Sequence, residues 1–472
     1  MLFNSLHFLF FFIVVTPAFF LLPHQHRWKL LLAASCYFYM TFVPVYILIL
    51  GFTIVVDYFA GIFIENNKGR RRKFFLVLSL IANIGVLAIF KYYNFLNENI
   101  SLFLGNTGYT NNIPYLDILL PIGLSFHTFQ AMSYTIEVYR GNQKAERHFG
   151  IYSLYVMFYP QLVAGPIERP QNILPQLHEE KHLEYENVVE GLKQIIWGLF
   201  KKVVIADRLS LYVDAVYNNS DQHSGITLIV ATVFFAFQIY CDFSGYSDIA
   251  IGCARVMGYR LMINFRRPYL AASIKEFWSR WHISLSTWFR DYLYFPLGGN
   301  KVSQLRWYLN LFIVFMVSGL WHGANWTFII WGALHGIYQI FSVSFKNLNE
   351  RNILGYRPLS SAFHALITFT LVCFAWIFFR ANDVHQAFAI CKSIFTFKPG
   401  GLFIGTPESF AYSLIWILFL LGVEYISEYY SDIIKVFNHP NRALRYAGYT
   451  IIVLCIILFG VFNGGQFIYF QF

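Results

Sequence analysis

Long apolar runs, rather than alternating apolar and polar positions, dominate this 472-residue chain. The run LHFLFFFIVVTPAFFLL covers residues 6–22, and further runs cover about 28–42, 43–64 and 74–96. A helix needs roughly 20 apolar residues to cross a bilayer. The pattern therefore predicts an all-α polytopic membrane protein with about eleven or twelve crossings, together with shorter re-entrant or interfacial helices.

Composition supports a membrane protein and argues against a nucleic-acid partner. Hydrophobic residues make up 57% of the chain and charged residues only 13%. In a soluble domain, about a quarter of all residues are charged. The net charge of +10 comes from Lys and Arg in short loops between apolar runs, such as KGRRRK at 68–73. The first run lacks the basic start and the cleavage site of a signal peptide, so we expect it to remain a span.

The positions of the basic residues predict a topology, because Lys and Arg mark cytoplasmic loops. Three apolar runs precede the basic cluster at 68–73, a second cluster lies at 140–147, and residues 98–117 between them contain no Lys or Arg. The N-terminus is therefore expected outside. The last apolar run, about 446–462, follows Lys435, Arg442 and Arg445, which also predicts a C-terminus outside.

Two segments in the middle of the chain depart from plain membrane spans. Residues 158–177, FYPQLVAGPIERPQNILPQL, contain four prolines, which helices do not run through, so we expect this segment to line a cavity or its mouth. Asp242 and Asp248 lie in an apolar stretch. A carboxylate there costs a few kcal/mol unless it is paired, so we expect pairing with Arg255 or with another Lys or Arg.

A third segment, FWSRWHISLSTWFRDYLYFPLGGN at 277–300, combines aromatic and basic residues. Its large side chains recur at helical spacing, at Trp278, Trp281, Leu285, Trp288 and Tyr292. Tryptophan together with arginine is typical of an interfacial amphipathic helix. His282 by itself adds nothing to that interpretation.

His322, in SGLWHGANW at 318–326, lies where hydrocarbon rather than water is expected. An ionisable residue within a membrane is a functional candidate by default, and a neutral imidazole can take a proton from an attacking hydroxyl. A core histidine with a structural role is the alternative. His335 is 13 residues further on, which is about 20 Å along a continuous helix, so we expect no shared metal ion.

The residues around His322 could form a substrate pocket. Trp321 and Trp326 could shape its walls, and Asn325 could donate a hydrogen bond. Gly319 and Gly323 have no side chains, so a substrate or another helix could come close.

Four motifs in this order, VAGPIERP, FWSRWHISLSTWFRDYLYFPLGGN, SGLWHGANWTFIIWGALHG and the terminal FIYFQF, resemble the membrane-bound O-acyltransferase family, and within it the bacterial branch of alginate O-acetyltransferases. The resemblance implies a ring of tilted helices around a funnelled centre. It covers residues 1–472 as one membrane domain, with N-terminal spans in 1–150, core motifs in 151–345, and C-terminal spans and tail in 346–472.

The resemblance also implies roles for individual residues. His322 would be the general base, and His282 would assist it by hydrogen bonding. Trp321, Asn325, Trp326 and Arg280 are the candidate substrate-binding residues. Tyr469 would lie in a tail that bends back toward the active centre and would relay the acyl group through its phenol; an aromatic anchor at the membrane interface is the alternative for this tail.

The activity implied is O-acylation across a bacterial inner membrane. An acyl thioester on the cytoplasmic side, such as acetyl-CoA, would donate an acetyl group for a secreted or cell-wall polysaccharide. Extracytoplasmic acyltransferase proteins would be the partners, and neither a bound cofactor nor a metal would be needed. D-alanyl export by the same family, a transporter, and a scaffold of a polysaccharide export complex are the alternatives, and the polymer is left open.

Overall fold

In this computed structural model every regular element of the described residues is helical. The structure describes residues 1–117, 120–163, 165–344, 357–430, 441–462 and 467–468, without the side chains of 357–360. No β-strand occurs in these ranges. The predicted all-α class of a polytopic membrane protein is confirmed.

The chain folds into two compact units. The first comprises Met1–Ile195 and Ile249–Met262, and the second comprises Ile196–Asp248 and Ile263–Phe472. The helices Tyr185–Leu199 and Gly225–Val256 contribute residues to both units. The expected single membrane domain in three segments stays a prediction.

The helices begin and end as follows. Up to the first of the two shared helices they are α1 Leu6–Leu21, α2 His24–Met40, α3 Ile47–Asn66, α4 Gly69–Leu87, α5 Tyr93–Asn106, α6 Leu124–Arg140, α7 Phe149–Met157, α8 Tyr159–Leu162, α9 Pro170–His178 and α10 Tyr185–Leu199. The later ones are α11 Asp207–Tyr217, α12 Gly225–Val256, α13 Ile274–Arg280, α14 Ile283–Phe289, α15 Gln304–His322, α16 Trp326–Ser344, α17 Arg357–Arg380, α18 Val384–Phe395, α19 Pro407–Tyr429 and α20 Arg442–Phe459.

Short π-helical and 3₁₀ turns join some of these helices. The π segments are Ala88–Tyr92, Phe200–Ala206 and Arg290–Tyr294, and the 3₁₀ turns are Pro44–Tyr46, Ser220–Gln222 and Pro268–Leu270. Such π segments are often found at functional sites.

Six helical segments in the described ranges are long and apolar enough to cross a membrane: Pro44–Asn66, Gly69–Asn106, Gly225–Val256, Ser361–Arg380, Pro407–Tyr429 and Arg442–Phe459. Leu6–Leu21 is apolar but shorter. The sequence-based number of crossings is larger because it also includes such shorter or more polar helices.

The proline-rich segment is only partly non-helical. Residues 165–169 are irregular, as predicted, but α9 contains Pro175 in its interior. The expectation that helices avoid this segment was wrong for 159–162, which form α8 with Pro160, and for 170–177, which belong to α9. Pro170 occupies the first turn of α9, where no backbone N–H is needed, and this nine-residue helix tolerates the second proline.

The first unit has a polar core between α3, α4 and α6. The Asp57 carboxylate is fully buried and accepts hydrogen bonds from Ser79 Oγ at 2.6 Å and from Asn83 Nδ2 at 2.9 and 3.0 Å. Ser79 Oγ also lies 3.1 Å from Thr135 Oγ1. A carboxylate in an apolar environment needs such donors, so this cluster fixes how the three helices pack.

A cavity of about 270 Å³ also lies in the first unit. Basic and aromatic side chains from α1, α2 and the residues around α7 and α9 line it, including Arg27, Trp28, His148 and Lys181. None of the predicted site residues contributes to it. The candidate active site is built instead within the second unit.

Candidate active site

His322 is the last residue of α15 and lies in a tight connection to α16. α15 ends because Gly323 adopts an extended conformation, with φ −163° and ψ 150°. The Asn325 side-chain oxygen then accepts a hydrogen bond from the Thr327 N–H at 3.0 Å, which caps the start of α16. SGLWHGANW is therefore the turn of a helical hairpin.

Glycines allow the two helices of this hairpin to touch. A Cβ on Gly319 would lie 2.3 Å from the Phe328 carbonyl oxygen, and a Cβ on Gly332 would lie 2.5 Å from the Phe315 carbonyl oxygen. Only glycine fits at such a distance. A Cβ on Gly323 would lie 2.1 Å from the Phe328 ring. Gly319 and Gly323 were expected to allow either a substrate or another helix to come close. In the structure, it is α16 that comes close to both glycines.

The hairpin brings His322 and His335 near one another, which corrects the sequence-based estimate of their separation. Each imidazole lies 4.9 Å, between ring centroids, from the indole of Trp331. The estimate of about 20 Å assumed one continuous helix, but the chain reverses between α15 and α16. In the described ranges no three His, Cys, Asp or Glu side chains form a group that could hold a metal ion.

Aromatic rings surround the His322 imidazole, which belongs to a residue only 4% exposed. The centroid distances are 4.9 Å to Trp321, 4.9 Å to Trp331 and 5.4 Å to Phe379. All three rings meet the imidazole at steep angles, between 70° and 84°. This apolar environment keeps the local dielectric low, so a proton transfer at His322 would occur away from bulk water.

His282 occupies a break in the helix that the sequence predicts across 277–300. α13 ends at Arg280, α14 begins at Ile283, and His282 between them adopts a left-handed conformation with φ 44° and ψ 54°. Histidine is among the non-glycine residues enriched in this region. His282 is fully buried and Trp281 is 1% exposed, so this part of the segment is core rather than an interfacial helix.

Hydrogen bonding determines which nitrogen of a neutral His282 carries the proton. His282 Nδ1 lies 3.1 Å from Asn264 Oδ1. Asn264 Oδ1 also accepts a hydrogen bond from the Ser284 N–H at 3.3 Å. A backbone N–H can only donate, so the Asn264 atom is an oxygen. Nδ1 of a neutral His282 is therefore protonated, and Nε2 is left as the acceptor.

Trp321 links the two predicted histidines. Its indole lies 6.2 Å from the His282 ring and 4.9 Å from the His322 ring, and it is only 4% exposed. The structure thus brings together His282, His322 and Trp321. Their roles in catalysis and in substrate binding remain predictions.

The other predicted substrate-binding residues lie in different settings. Trp326 is 52% exposed at the start of α16, and the side-chain amide of Asn325 donates to the Asn382 carbonyl at 3.1 Å. Arg280 pairs with Glu276 at 2.6 Å and with Glu428 at 2.9 Å. Each of these three side chains therefore has a structural role or an outward position, and their contact with substrate remains a prediction.

The second unit also contains a buried charged network that supplies the expected partners of Asp242 and Asp248. Lys202 Nζ lies 2.7 Å from both Asp242 and Asp207, and Lys201 Nζ lies 2.5 Å from Asp248. Sequence reasoning missed both lysines and Asp207, and it considered His335 only as a possible metal ligand. The charged residues in FKKVVIAD were the available signal, because lysine within an apolar run needs a buried partner.

Phe467 and Ile468, the described residues of the C-terminal tail, lie in the core of the second unit. Phe467 is 1% and Ile468 is 3% exposed, and the Ile468 N–H donates to Asp242 Oδ2 at 2.7 Å. The Phe467 ring lies 5.8 Å from Phe243, whose own ring lies 4.6 Å from His282. Tyr469, the predicted relay residue, lies outside the described residues.

Comparison with known proteins agrees with the motifs. The model of the membrane-bound O-acyltransferase family matches residues 147–382, a range that contains His282, Trp321, His322 and Asp242 but not the tail. The chain is 38% identical to the probable alginate O-acetylase of Pseudomonas aeruginosa over 405 residues, covering 84% of this chain and 75% of that protein.

Two further relatives differ in the activity that their names state. The peptidoglycan O-acetyltransferase of Helicobacter pylori is 36% identical over 77% of this chain and 73% of its own length. The teichoic acid D-alanyltransferase of Streptococcus thermophilus is 31% identical over 56% of this chain and 69% of its own length. With its helical fold, its buried histidine pair and a family model that matches half of its length, the chain belongs to the membrane-bound O-acyltransferase family.

Proposed function

We propose that this O-acyltransferase moves an acetyl group from a cytoplasmic acyl thioester, such as acetyl-CoA, across the inner membrane of a bacterium to hydroxyl groups of a secreted or cell-wall polysaccharide. One observation carries the proposal. The two histidines that the family motifs single out, His282 and His322, both contact Trp321 inside an aromatic enclosure. Relatives named for acetylation of alginate and of peptidoglycan support the choice of acyl group and polymer class.

His322 acts as the general base in this mechanism. Its imidazole takes the proton of an acceptor hydroxyl, and the hydroxyl oxygen attacks the thioester carbonyl carbon. The carbon–sulfur bond then breaks, and the imidazolium returns its proton to the leaving thiolate, so charge and protons balance. A positioned base contributes typically 10²- to 10⁴-fold to such a step.

His282 assists without exchanging a proton. Its Nδ1–H is engaged with Asn264, so Nε2 carries the lone pair of the neutral ring and can accept a hydrogen bond from another N–H or O–H group of the bound substrates, not from the hydroxyl whose proton His322 takes. This helps to hold the hydroxyl and the thioester in the reacting orientation, and correct orientation is a large part of the barrier in acyl transfer.

Tyr469 is the first acceptor in this proposal. A phenol ionises more easily than a sugar hydroxyl, since its pKa is normally near 10, and its ester is therefore a better acyl donor for the next transfer. The buried position of Phe467 and Ile468, directly before Tyr469 in the chain, supports a tail that reaches the site. The aromatic anchor remains the alternative for this tail.

The setting of the enzyme follows from the charge pattern. Both termini lie outside the cytoplasmic membrane, and the basic loops at 68–73 and 140–147 lie inside. Extracytoplasmic acyltransferase proteins are the proposed partners that complete transfer to the polymer. The protein needs no bound cofactor or metal in this account, because the thioester itself is the activated donor.

D-alanyl export is the second candidate, and the similarity to the teichoic acid D-alanyltransferase favours it specifically. That similarity covers 56% of this chain, against 84% for the alginate O-acetylase. Supplying membranes with acetyl and D-alanyl thioesters in parallel separates the two, since only the true donor gives labelled polymer.

Polymer acetylation by His322→Ala tests the proposed function. We expect complete loss of acetylation in cells that contain normal amounts of the inserted variant. His335→Gln is the matched control, because it also changes a buried imidazole against Trp331 but leaves the proposed base in place; it should retain most activity. Near-normal acetylation by His322→Ala would contradict the assignment and would favour a transporter or scaffold.

Tyr469→Phe tests the relay separately, because it keeps the aromatic ring and removes only the hydroxyl. We expect it to abolish polymer acetylation while protein amount and insertion stay normal. Full acetylation by this variant would leave the tail as an aromatic anchor.

A further inference from the structure

The structure points to Asp242 as a positioning residue that fixes the C-terminal tail for acyl transfer, and we propose that Lys202 and Asp207 hold Asp242 for this purpose. The proposal rests on the function proposed above. The starting observation is one hydrogen bond, in which the Ile468 N–H donates to Asp242 Oδ2 at 2.7 Å across 226 residues of chain. Asp242 is 4% exposed and Ile468 is 3% exposed.

The charges around Asp242 explain why this acceptor is available. Lys202 Nζ lies 2.7 Å from Asp242 Oδ1 and 2.7 Å from Asp207 Oδ1, and all three residues are at least 96% buried. One ammonium between two carboxylates leaves the trio with an excess of negative charge if both acids are ionised. A backbone N–H that donates to the second oxygen of Asp242 offsets part of that excess, because a buried carboxylate needs several donors.

Lys202 is able to reach both acids because it lies in the π segment Phe200–Ala206. This segment joins α10 to α11, and Asp207 is the first residue of α11. Asp242 comes from the middle of α12. The trio therefore joins the π segment, α11 and α12. The tail is attached to a carboxylate that pairs with Lys202, and Lys202 is itself held by Asp207.

The attachment point lies close to the proposed site. Phe467, next to Ile468, packs against Tyr246 at 4.7 Å and Phe243 at 5.8 Å, between ring centroids. Phe243 in turn lies 4.6 Å from His282. Asp242 thus fixes the chain at Ile468, one aromatic ring from His282. Tyr469 is the next residue, and consecutive Cα atoms are about 3.8 Å apart, so the position of Ile468 limits where the phenol can be.

Asp248 provides a matched control for Asp242. It lies six residues further along α12 and pairs with Lys201 at 2.5 Å. Asp248→Asn removes a lysine-paired carboxylate from the same helix, one whose side chain is 22% exposed against 5% for Asp242, but leaves the acceptor of the Ile468 N–H. Any effect shared by Asp242→Asn and Asp248→Asn is therefore a general effect of lost charge.

Two variants remove the hydrogen bond from opposite sides. Asp242→Asn keeps the shape, but its amide faces either the Lys202 ammonium or the Ile468 N–H with its own NH₂ group, so two donors oppose each other. Ile468→Pro has no backbone N–H to donate. Because Ile468→Pro leaves the charged trio unchanged, it stays informative if Asp242→Asn folds poorly.

Carboxypeptidase digestion of the full-length protein in detergent micelles tests the positioning directly, with intact mass as the readout. We expect Asp242→Asn and Ile468→Pro to lose C-terminal residues at least about tenfold faster than the parent chain, the factor that corresponds to one hydrogen bond to a charged group. Asp248→Asn should match the parent. Parent-like digestion of both test variants, or equally fast digestion of Asp248→Asn, would overturn the proposal.

Acyl transfer by the same preparations separates this proposal from the proposed function. Lower kcat with an unchanged KM for the thioester, in Asp242→Asn but not in Asp248→Asn, is the result expected if the fixed tail takes part in transfer. A released tail with full transfer would retain Asp242 as the attachment point but would reject the relay through Tyr469. An attached tail in Asp242→Asn would reject the positioning role whatever the activity.

Discussion

At the scale of single residues, the site depends on how two buried imidazoles are held. Aromatic rings enclose His322, whereas His282 combines a left-handed backbone with hydrogen bonding to Asn264. These settings fit different tasks. An apolar enclosure keeps bulk water away from a base that takes a proton, and a fixed tautomer favours a group that only accepts a hydrogen bond.

Asn264→Ala tests how His282 is held. We expect turnover to fall to the same level as in His282→Ala, since either change removes the oriented Nε2 acceptor, and both losses should be smaller than that of His322→Ala. The double variant should lose no more than either single variant, because residues that act as one unit are not additive.

Ser284→Ala is the control for Asn264→Ala. It removes the hydroxyl that donates to the same Asn264 oxygen at 3.0 Å but leaves the contact between Asn264 and His282. Turnover near that of the parent is expected. If losses at Asn264 and His282 multiply in the double variant, His282 does not depend on Asn264.

At the scale of elements, the hairpin of α15 and α16 positions His322. The hairpin depends on Gly319 and Gly332, whose lack of side chains allows the two backbones to meet. The same crossing places both His322 and His335 against the indole of Trp331. Aromatic rings can therefore enclose His322 only if α15 and α16 pack closely.

Gly319→Ala should destabilise the protein by about 1–3 kcal/mol, the usual effect of overpacking a filled interior. The new methyl group would meet the backbone oxygen of Phe328, which cannot rotate away as a side chain could. A lower midpoint of thermal unfolding in detergent, together with lower transfer activity, is the expected result.

Gly422→Ala is the matched control, because Gly422 lies in α19 and, among the described residues, no atom outside its chain neighbours and local helix backbone lies within 4 Å of the added Cβ. Alanine stabilises a helix interior by up to about 1 kcal/mol relative to glycine, so its unfolding midpoint should be unchanged or higher. If Gly319→Ala and the parent unfold at the same midpoint, α15 and α16 can move apart without a loss of stability.

Helix positions could be predicted from the sequence more reliably than helix breaks. The apolar runs at 6–22, 28–42 and 43–64 correspond to Leu6–Leu21, His24–Met40 and Ile47–Asn66, because apolar length alone indicates a membrane helix. The break at His282 was not predicted. Its aromatic spacing is that of a continuous helix, whereas the left-handed residue makes a contact with Asn264, which lies 18 residues away in sequence.

The same limit applies to the candidate site. His322, His282 and Trp321 could be selected from motifs, and the structure brings them together. Three other features could not be predicted from the sequence, because each depends on residues distant in sequence. They are the closeness of His335 to His322, the partners of Asp242 and the attachment of Ile468. Lys202 and Asp242, for example, are 40 positions apart and lie on different helices.

At the scale of the whole molecule, the surface fits a lipid environment. Large apolar side chains are exposed along the helices that could span the membrane, such as Ile451 at 61% and Leu458 at 70%. Only 6% of the apolar stretch in Arg442–Phe459 is buried. Exposed apolar surface of this extent is expected for a chain whose solvent is hydrocarbon.

The predicted topology can be checked with single cysteines at exposed positions. Thr110→Cys should react with a membrane-impermeant maleimide in intact spheroplasts, because residues 98–117 contain no Lys or Arg. Lys68→Cys should react only after the membrane is permeabilised. The parent chain, whose six cysteines are buried or partly buried, gives the background. The reverse labelling pattern would invert the topology and place the tail in the cytoplasm.

In the proposed function, His322 drives acyl transfer from one side of the membrane to the other. Inverted membrane vesicles, which expose the cytoplasmic face, test it when supplied with acetyl-CoA labelled in the acetyl group. With the parent protein we expect labelled ester to accumulate on acceptors inside the vesicles. Equal amounts of His322→Ala should reduce that rate by at least about 10²-fold, as expected for loss of a general base. Ester formation by His322→Ala at the parent rate would contradict the account.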